Sequence, residues 1–493
     1  MVKRVNRLKT EIYPDYTAYI AEIRKNGISD ALLRRIIRRH RENALYNRRL
    51  YERYRVDAAG VPIFGRSPRF TESDEINNTI NNDFVGEIVG FKTGYFAGKP
   101  ISYGYSRTEE SQALTGGEAG VEAAGKAVTD FTVRNNMFGV DMELTKHASL
   151  CGYAGRLFYV DPEGNERCMA TKSFESIFLS NVSISEPLYA VRYYSAEDLN
   201  GAKIWYAEFY DDKTVSFYEG RSVDTLAFQR RQPHMFDYCP FQGIANNNEL
   251  TGDAEKVLAA IDAYDDAVSD NANEIEAFAH AYMCFDGVSI SDEQLQEARK
   301  SGAFRIPNRG GQNNGNSIYF LTKEVNDAFT ENHLKRLEDN IYRFSRTPNL
   351  TDETFGTASG ESLKFKLTGH ETKCGEFQAK FMDAANYMWK LLASAWRKKR
   401  IFVDPLQVTM EFTRNFPLSA KTEAEAMAAY KNLGMPMEWI VAQMASVDDP
   451  GYVLDLIEAE KQSSVPSLTE DDGDDDFDDG ITPTASGGAQ AKD

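Results

Sequence analysis

Residues 253–282, DAEKVLAAIDAYDDAVSDNANEIEAFAHAY, run for 30 positions without proline or glycine. As one α-helix this stretch is roughly 45 Å long. Val257, Ile261, Tyr264, Val268, Ile275, Phe278 and Tyr282 recur at three- and four-residue spacing and form one apolar seam. The remaining faces carry Asp253, Glu255, Asp262, Asp265, Asp266, Asp270, Glu274 and Glu276, with Lys256 the only opposing charge. A helix of this kind needs a partner along the seam. Residues 326–345 supply a candidate, with a seam at Leu334, Leu337, Ile341 and Phe344.

Between the two helices lies a module of about 40 residues, 284–325, with a short helix (SDEQLQEARKSG) and strand candidates FRIPN and SIYFLT. If the helices pair antiparallel, the module sits at one end of a rod and the rest of the chain at the other. After Pro348 comes a long polar loop, NLTDETFGTASGES, with no helix or strand pattern. A helical segment then runs from about 363 to 399, with Gly369 and Gly375 as expected bends. The strand VTMEF and a helical cluster over 421–461 follow, the latter broken at Gly434-Met435-Pro436 and Asp448-Asp449-Pro450-Gly451.

Upstream, residues 30–56 contain nine arginines on a helical pattern marked by Leu32, Leu33, Ile36, Ile37 and Leu45. The bland reading is a peripheral helix with a solvated arginine face; the sharper one is an arm that meets an acidic partner or nucleic acid. Gly86, Gly90, Gly94 and Gly98 recur every four residues, which predicts a flat stripe where another backbone packs closely. Residues 106–129 read as a Gly/Ala-rich connection. From Arg156 to Gly220 the pattern turns strand-like, with hairpins RLFYV–DPEGN–ERCMA and KIWYAEFY–DDK–TVSFYEG. The fold class expected is therefore helix-rich α+β with antiparallel pairing.

The net charge of −19 is uneven, because the tail from Ser464 to Asp493 contributes −8. The body is still acidic, which argues against a protein gripping nucleic acid over a broad basic face. Five scattered cysteines, none in C-x-x-C spacing, give no disulfide framework or zinc site. No signal peptide or membrane-spanning run is visible, so a cytoplasmic site of synthesis is expected. GVEAAGKA, residues 120–127, comes close to a phosphate-binding loop, but Ala127 stands where the magnesium-binding hydroxyl belongs and no hydrophobic strand precedes it. The six histidines lack ligand spacing, and no nucleophile elbow or carboxylate pair stands out. No enzyme, metal or cofactor is expected, and Lys126 reads as a surface lysine in a mobile loop.

The order of these parts resembles the portal proteins of tailed double-stranded DNA bacteriophages, of the type found in siphophages. The stretches carrying the likeness are INNTINNDFVGEIVGFKTGYFAGKPISY, EPLYAVRYY, QPHMFDYCPFQGIANNNELTGDAEKVLAAIDAY, RTPNLTDETFGTASGESLKFKL and KTEAEAMAAYKNLGMPMEWIVAQMASVDDPGYVLDLIEAE. Together they span roughly residues 70–460. The resemblance implies a portal fold with a mixed α/β wing, a two-helix stem, a small α/β clip, a long wing helix and a C-terminal helical crown. It implies a basic helical arm at 1–69, a wing at 70–250 completed by 347–420, and stem helices at 251–283 and 326–346. It further implies a clip at 284–325, a tunnel loop at 347–362, a long wing helix and strand at 363–420 and a crown at 421–462. An acidic tail, disordered by composition, fills 463–493.

In such a protein identical subunits, a dodecamer in the virion, ring a tunnel for double-stranded DNA at one capsid vertex. The implied partners are the chain itself, DNA without sequence specificity, the terminase large subunit, head–tail connector proteins, and major capsid and scaffolding proteins, with no membrane. The resemblance places Asn349, Leu350, Thr351, Asp352, Glu353, Thr354, Phe355, Gly356 and Thr357 in the tunnel loop. It places Asp292, Glu293, Arg299, Arg305 and Arg309 in the clip.

The eight stem acids suit a tunnel that repels a sliding polyanion, since phosphate contacts would add affinity and therefore friction. The alternative is that they solvate the outside of the stem. Two other functions remain open at this point: a nucleotide-driven motor using GVEAAGKA, and a capsid scaffold or minor head protein without a channel.

Overall fold

The computed structural model describes residues 13–67, 76–278, 282–286, 317–321, 327–351, 360–415, 420–442 and 450–463, with a few single positions between them. Residues 13–415 lie in one compact unit and 420–463 in a second. In the first unit, helices α1 (Thr17–Asn26) and α2 (Asp30–Tyr54) lead into α3 (Phe84–Ala97), strand β1 (Ser102–Tyr105), α4 (Glu109–Thr115), α5 (Glu118–Arg134) and α6 (Met137–Cys151). Strands β2 (Tyr153–Val160), β3 (Glu166–Thr171), β4 (Ser176–Leu179), β5 (Tyr189–Glu197), β6 (Lys203–Tyr210), β7 (Thr214–Gly220), β8 (Ala227–Pro233) and β9 (Phe241–Ala245) follow. Helix α7 (Leu258–Phe278), strands β10 (Tyr282–Asp286) and β11 (Ser317–Leu321), α8 (Asp327–Ser345), the long α9 (Gly360–Lys398) and β12 (Val408–Glu411) complete it.

Both expected hairpins are present, as the antiparallel pairs β2–β3 and β6–β7. The first belongs to a three-stranded sheet, β3–β2–β9, and the second to a five-stranded sheet, β4–β5–β6–β7–β8. Gly152, with φ +90°, ends α6 in the left-handed region and turns the chain straight into β2.

The basic helix α2 is part of the body. Ser29 caps it by accepting from the Leu32 N–H. Leu33, Ile36 and Ile37 then fall on one face and pack with Ile20 of α1 against Ile177, Val191 and Phe209 of the five-stranded sheet. Each such side chain, fully buried, stabilises the fold by about 1.5–3 kcal/mol. Of the nine arginines, Arg53 is buried and Arg34 half-buried, and the other seven are exposed.

Residues 106–129 are largely helical, contrary to the connection expected there. Thr108 and Ser111 form a reciprocal capping box at the start of α4. In α5, Val121, Ala124, Val128 and Phe131 are buried at helical spacing, and the last three pack in one cluster with Trp389 and Trp396 of α9. Buried apolar surface outweighs the cost of the glycines. Lys126 is therefore an exposed helical residue, and the local amides are committed to helix hydrogen bonds instead of an anion cradle.

Three other expectations change. The glycine stripe of α3 is closely approached by another segment only at its end, where a Cβ on Gly98 would lie 2.6 Å from Asn415 Nδ2, whereas one on Gly90 or Gly94 meets nothing within 4 Å. α9 continues as one helix through Gly369 and Gly375. Tyr282 belongs to β10, which pairs antiparallel with β11, so α7 does not extend to that position. The FRIPN candidate lies outside the described residues. In the second unit, α10 (Ala420–Asn432), α11 (Met437–Ala442) and α12 (Pro450–Ser463) form the expected helical cluster. Gly434 (φ +78°) makes the turn between the first two, and Tyr430 meets Trp439 edge-on at 5.3 Å.

Candidate functional site

α7 and α8 are the element pair that the sequence singled out, and they pack antiparallel. Val257, just before α7, and Ile261 in its first turn share a cluster with Ile341 and Tyr342 at the end of α8. Phe84 of α3 sits between the pair, meeting Tyr264 at 5.1 Å and Tyr342 at 5.8 Å. The β10–β11 hairpin lies between the two helices in the chain.

Beyond Ile261 the covered face of α7 is polar. Asp265 and Ser269 are almost fully buried, and with Asn273 they form a series at four-residue spacing. An extended strap, residues 76–82, lies along this series. The N–H groups of Asn82, Ile80 and Asn78 donate respectively to Asp265 Oδ1 (2.9 Å), Ser269 Oγ (3.0 Å) and Asn273 Oδ1 (2.6 Å). The match is geometric. Two residues of extended chain rise about 6.6 Å, and four residues of helix rise about 6 Å. Alternate strap amides therefore meet successive turns. The side-chain amide of Asn82 also donates to Asp265 at 2.9 Å, and that of Asn78 to Glu276 at 2.7 Å. Burial raises the Asp265 carboxyl above its usual range despite the bonds from Asn82.

Arginines from the N-terminal segment meet other acids of α7. Arg53 donates to Asp262 at 2.6 Å. Arg66 pairs with Asp270 and lies 3.8 Å from Asp266. Just before α7, Glu255 accepts from the Gly252 N–H (2.7 Å) and from the Tyr46 hydroxyl (2.9 Å). Much of the acid on this helix is thus engaged within the chain, and a bare repelling face does not describe it.

Asp253 is a clear correction. It is buried and cannot face a tunnel. Its oxygens lie 3.1 Å from Lys92 Nζ and 3.9 Å from Lys373 Nζ, and accept from Ser149 Oγ (2.5 Å) and Asn246 Nδ2 (3.2 Å). Burial alone would raise its pKa, but the two ammonium groups hold it well below the ordinary carboxylate range. Lys92 also donates to Asn246 Oδ1 and rests 4.5 Å from the Phe377 ring centre. Lys373 donates to the Ser345 carbonyl at 3.0 Å. The cluster therefore joins α3, the entry to α7, the end of α8 and α9.

Of the remaining sequence candidates, Glu274 is half-buried. Asn349 donates to Glu338 (3.0 Å), and its Oδ1 accepts from the N–H and hydroxyl of Thr351 in a local turn that leaves Leu350 exposed. Glu293 accepts from Ser291 at 3.1 Å. Asp352, Glu353, Thr354, Phe355, Gly356, Thr357, Asp292, Arg299, Arg305 and Arg309 lie outside the described residues. Sequence reasoning missed Arg53, Arg66, Asn78, Asn82, Lys92 and Lys373. The asparagine-rich run INNTINND was the one available sign of a polar strap. Among the described residues no group of His, Cys, Asp and Glu fits a metal, and no helix is long and apolar enough to cross a membrane.

The described body is helix-rich α+β, with a buried charge cluster anchoring an antiparallel helix pair. The chain belongs to the phage portal protein family, SPP1 Gp6-like, whose model matches residues 33–467. It is similar to a portal protein of Clostridium phage phiCD119, 23% identical over 419 residues, covering 80% of this chain and 87% of that one. It is also similar to the portal protein of Bacillus phage SPP1, 23% identical over 446 residues, covering 85% of this chain and 82% of the relative.

Proposed function

We propose that the chain assembles into a ring, a dodecamer in the virion, at one capsid vertex. Its central tunnel carries double-stranded DNA inward during packaging and outward during ejection. The ring also serves as the docking platform for the terminase large subunit and the head–tail connector proteins, beside the major capsid and scaffolding proteins, after assembly in the host cytoplasm. Family membership supports the role.

The structural observation that carries it is the apolar surface left on the stem. Ile275 of α7 is 65% exposed, and Phe344 of α8 is 58% exposed. Large apolar groups along a helix pair call for a neighbour, and a repeated head-to-tail contact that closes makes a ring. Residues 349–357 are the segment assigned to the DNA, following it by shape and not by base contacts.

Light scattering of purified wild-type protein beside an Ile275→Asp/Phe344→Asp variant tests the reading. Wild type is expected at many times the mass of one chain, and the variant at a much smaller mass. Equal, monomeric masses for both would end the proposal.

A further inference from the structure

A concavity of about 440 Å³ opens between α2 and the β5–β6 strands, away from the stem. Ile37, Leu45 and Trp205 give it an apolar lining, and Arg41, Arg48 and Lys203 stand around it. We propose that this groove docks an acidic peptide segment of a partner protein, with Asp or Glu residues flanking one apolar anchor side chain.

Charge complementarity selects the occupant. The chain carries −19 overall, yet the groove gathers three arginines of α2 and Lys203 against two carboxylates, Glu175 and Asp224. Asp224 is engaged by Arg38, whose Nε donates to it at 2.8 Å. The remaining cations face solvent and suit carboxylate partners, which arginine binds in a fork geometry. Leu45 is half exposed at the groove and offers an apolar contact for the anchor. The volume falls in the range of sites that enclose a compact group, roughly 300–1,000 Å³.

The same geometry disfavours a nucleic acid strand. Base stacking needs open aromatic faces. Here Lys203 Nζ lies 5.1 Å over the Trp205 ring, Tyr193 stacks on Trp205 at 6.4 Å, and the Arg48 guanidinium lies 5.2 Å over Phe174. The ring faces are already engaged, whereas the cations retain donors for carboxylates.

Fluorescence anisotropy decides it. The probe is a labelled synthetic decapeptide of Asp and Glu with one central Phe, titrated with the full-length protein. A second peptide with Ser in place of Phe and a single-stranded thymidine decanucleotide serve as comparisons. Saturable binding of the Phe peptide is expected, weakened about ten-fold by Arg41→Glu and separately by Lys203→Glu, as loss of an interfacial charge contact predicts. The Ser peptide should bind more weakly, and Arg134→Glu, on exposed α5, should change nothing. Because Arg41 and Lys203 sit on different elements and both are exposed, wild-type melting of either variant separates lost docking from lost folding. Absent binding, equal weakening by Arg134→Glu, or tighter binding of the oligonucleotide would overturn the proposal.

Discussion

The backbone N–H of Ile80 donates to the buried Oγ of Ser269 at 3.0 Å, the middle rung of a ladder that ties an extended strap to α7. Rungs from Asn82 to Asp265 and from Asn78 to Asn273 flank it. Ser269→Ala leaves the Ile80 amide without an acceptor, at a cost of about 1–3 kcal/mol. Hydrogen exchange at Ile80 should accelerate accordingly, with exchange in the distant five-stranded sheet unchanged. Unchanged exchange at Ile80 would contradict the ladder.

Arg53 and Asp262 form a second tie, at 2.6 Å with the arginine side chain 8% exposed. Arg53→Ala and Asp262→Ala are each expected to lower the melting temperature. The double variant should lose less than the sum, by about 0.5–3 kcal/mol, as for residues in direct contact. Strict additivity would show that the pair contributes nothing.

Asp253→Asn removes the carboxylate between Lys92 and Lys373 and leaves two buried cations without their counter-charge. Breaking a buried pair in this way costs about 3–5 kcal/mol, so the variant should melt well below wild type. Because the Asp253 pKa is depressed in the fold, its contribution is fully present above the ordinary carboxylate range. That contribution is lost only as the pH falls through its folded value. Stability between pH 5 and 8 should not depend on this group.

The histidines act in a different window. Burial lowers His40 from 6.5 to about 3, His370 to about 3 and His147 to about 4, the lysines nearby adding to the last two. His40 is held neutral between the Tyr193 and Tyr153 hydroxyls, each at 3.0 Å. The unfolded chain binds these protons first, so stability falls as the pH drops below 6.5 towards the folded values. Melting temperatures should decline from pH 7 to pH 4.5, and His40→Gln should flatten that decline. A pH-independent melting temperature would contradict the buried neutral state.

Lys126 sits on an exposed turn of α5. Lys126→Ala should leave the melting temperature unchanged, and neither wild type nor the variant is expected to turn over ATP. Turnover abolished by this substitution would point to a motor instead.

The α7–α8 helix pair was legible because its signal is periodic. Val257, Ile261, Leu334 and Ile341 repeat every three or four residues, and the polar β-turns of the hairpins mark themselves. The family likeness rested on the order of such parts. The strap and the buried charge cluster were not legible, because most of their partners lie about 100–280 residues apart and share no period. Asp253 reads as a solvated helix-start carboxylate until Lys92 and Lys373 are seen beside it. Residues 106–129 were misjudged for the opposite reason. Local glycines suggested a loop, while the burial of Val128 and Phe131 on Trp389 and Trp396, about 260 residues later, decided for helix.

Electron microscopy of the purified full-length protein tests the central claim most directly. The account predicts ring-shaped particles with rotational symmetry and a central hole wide enough for double-stranded DNA, about 20 Å or more across given major- and minor-groove dimensions. A uniform population of single chains, never closing into rings even at high concentration, would contradict it.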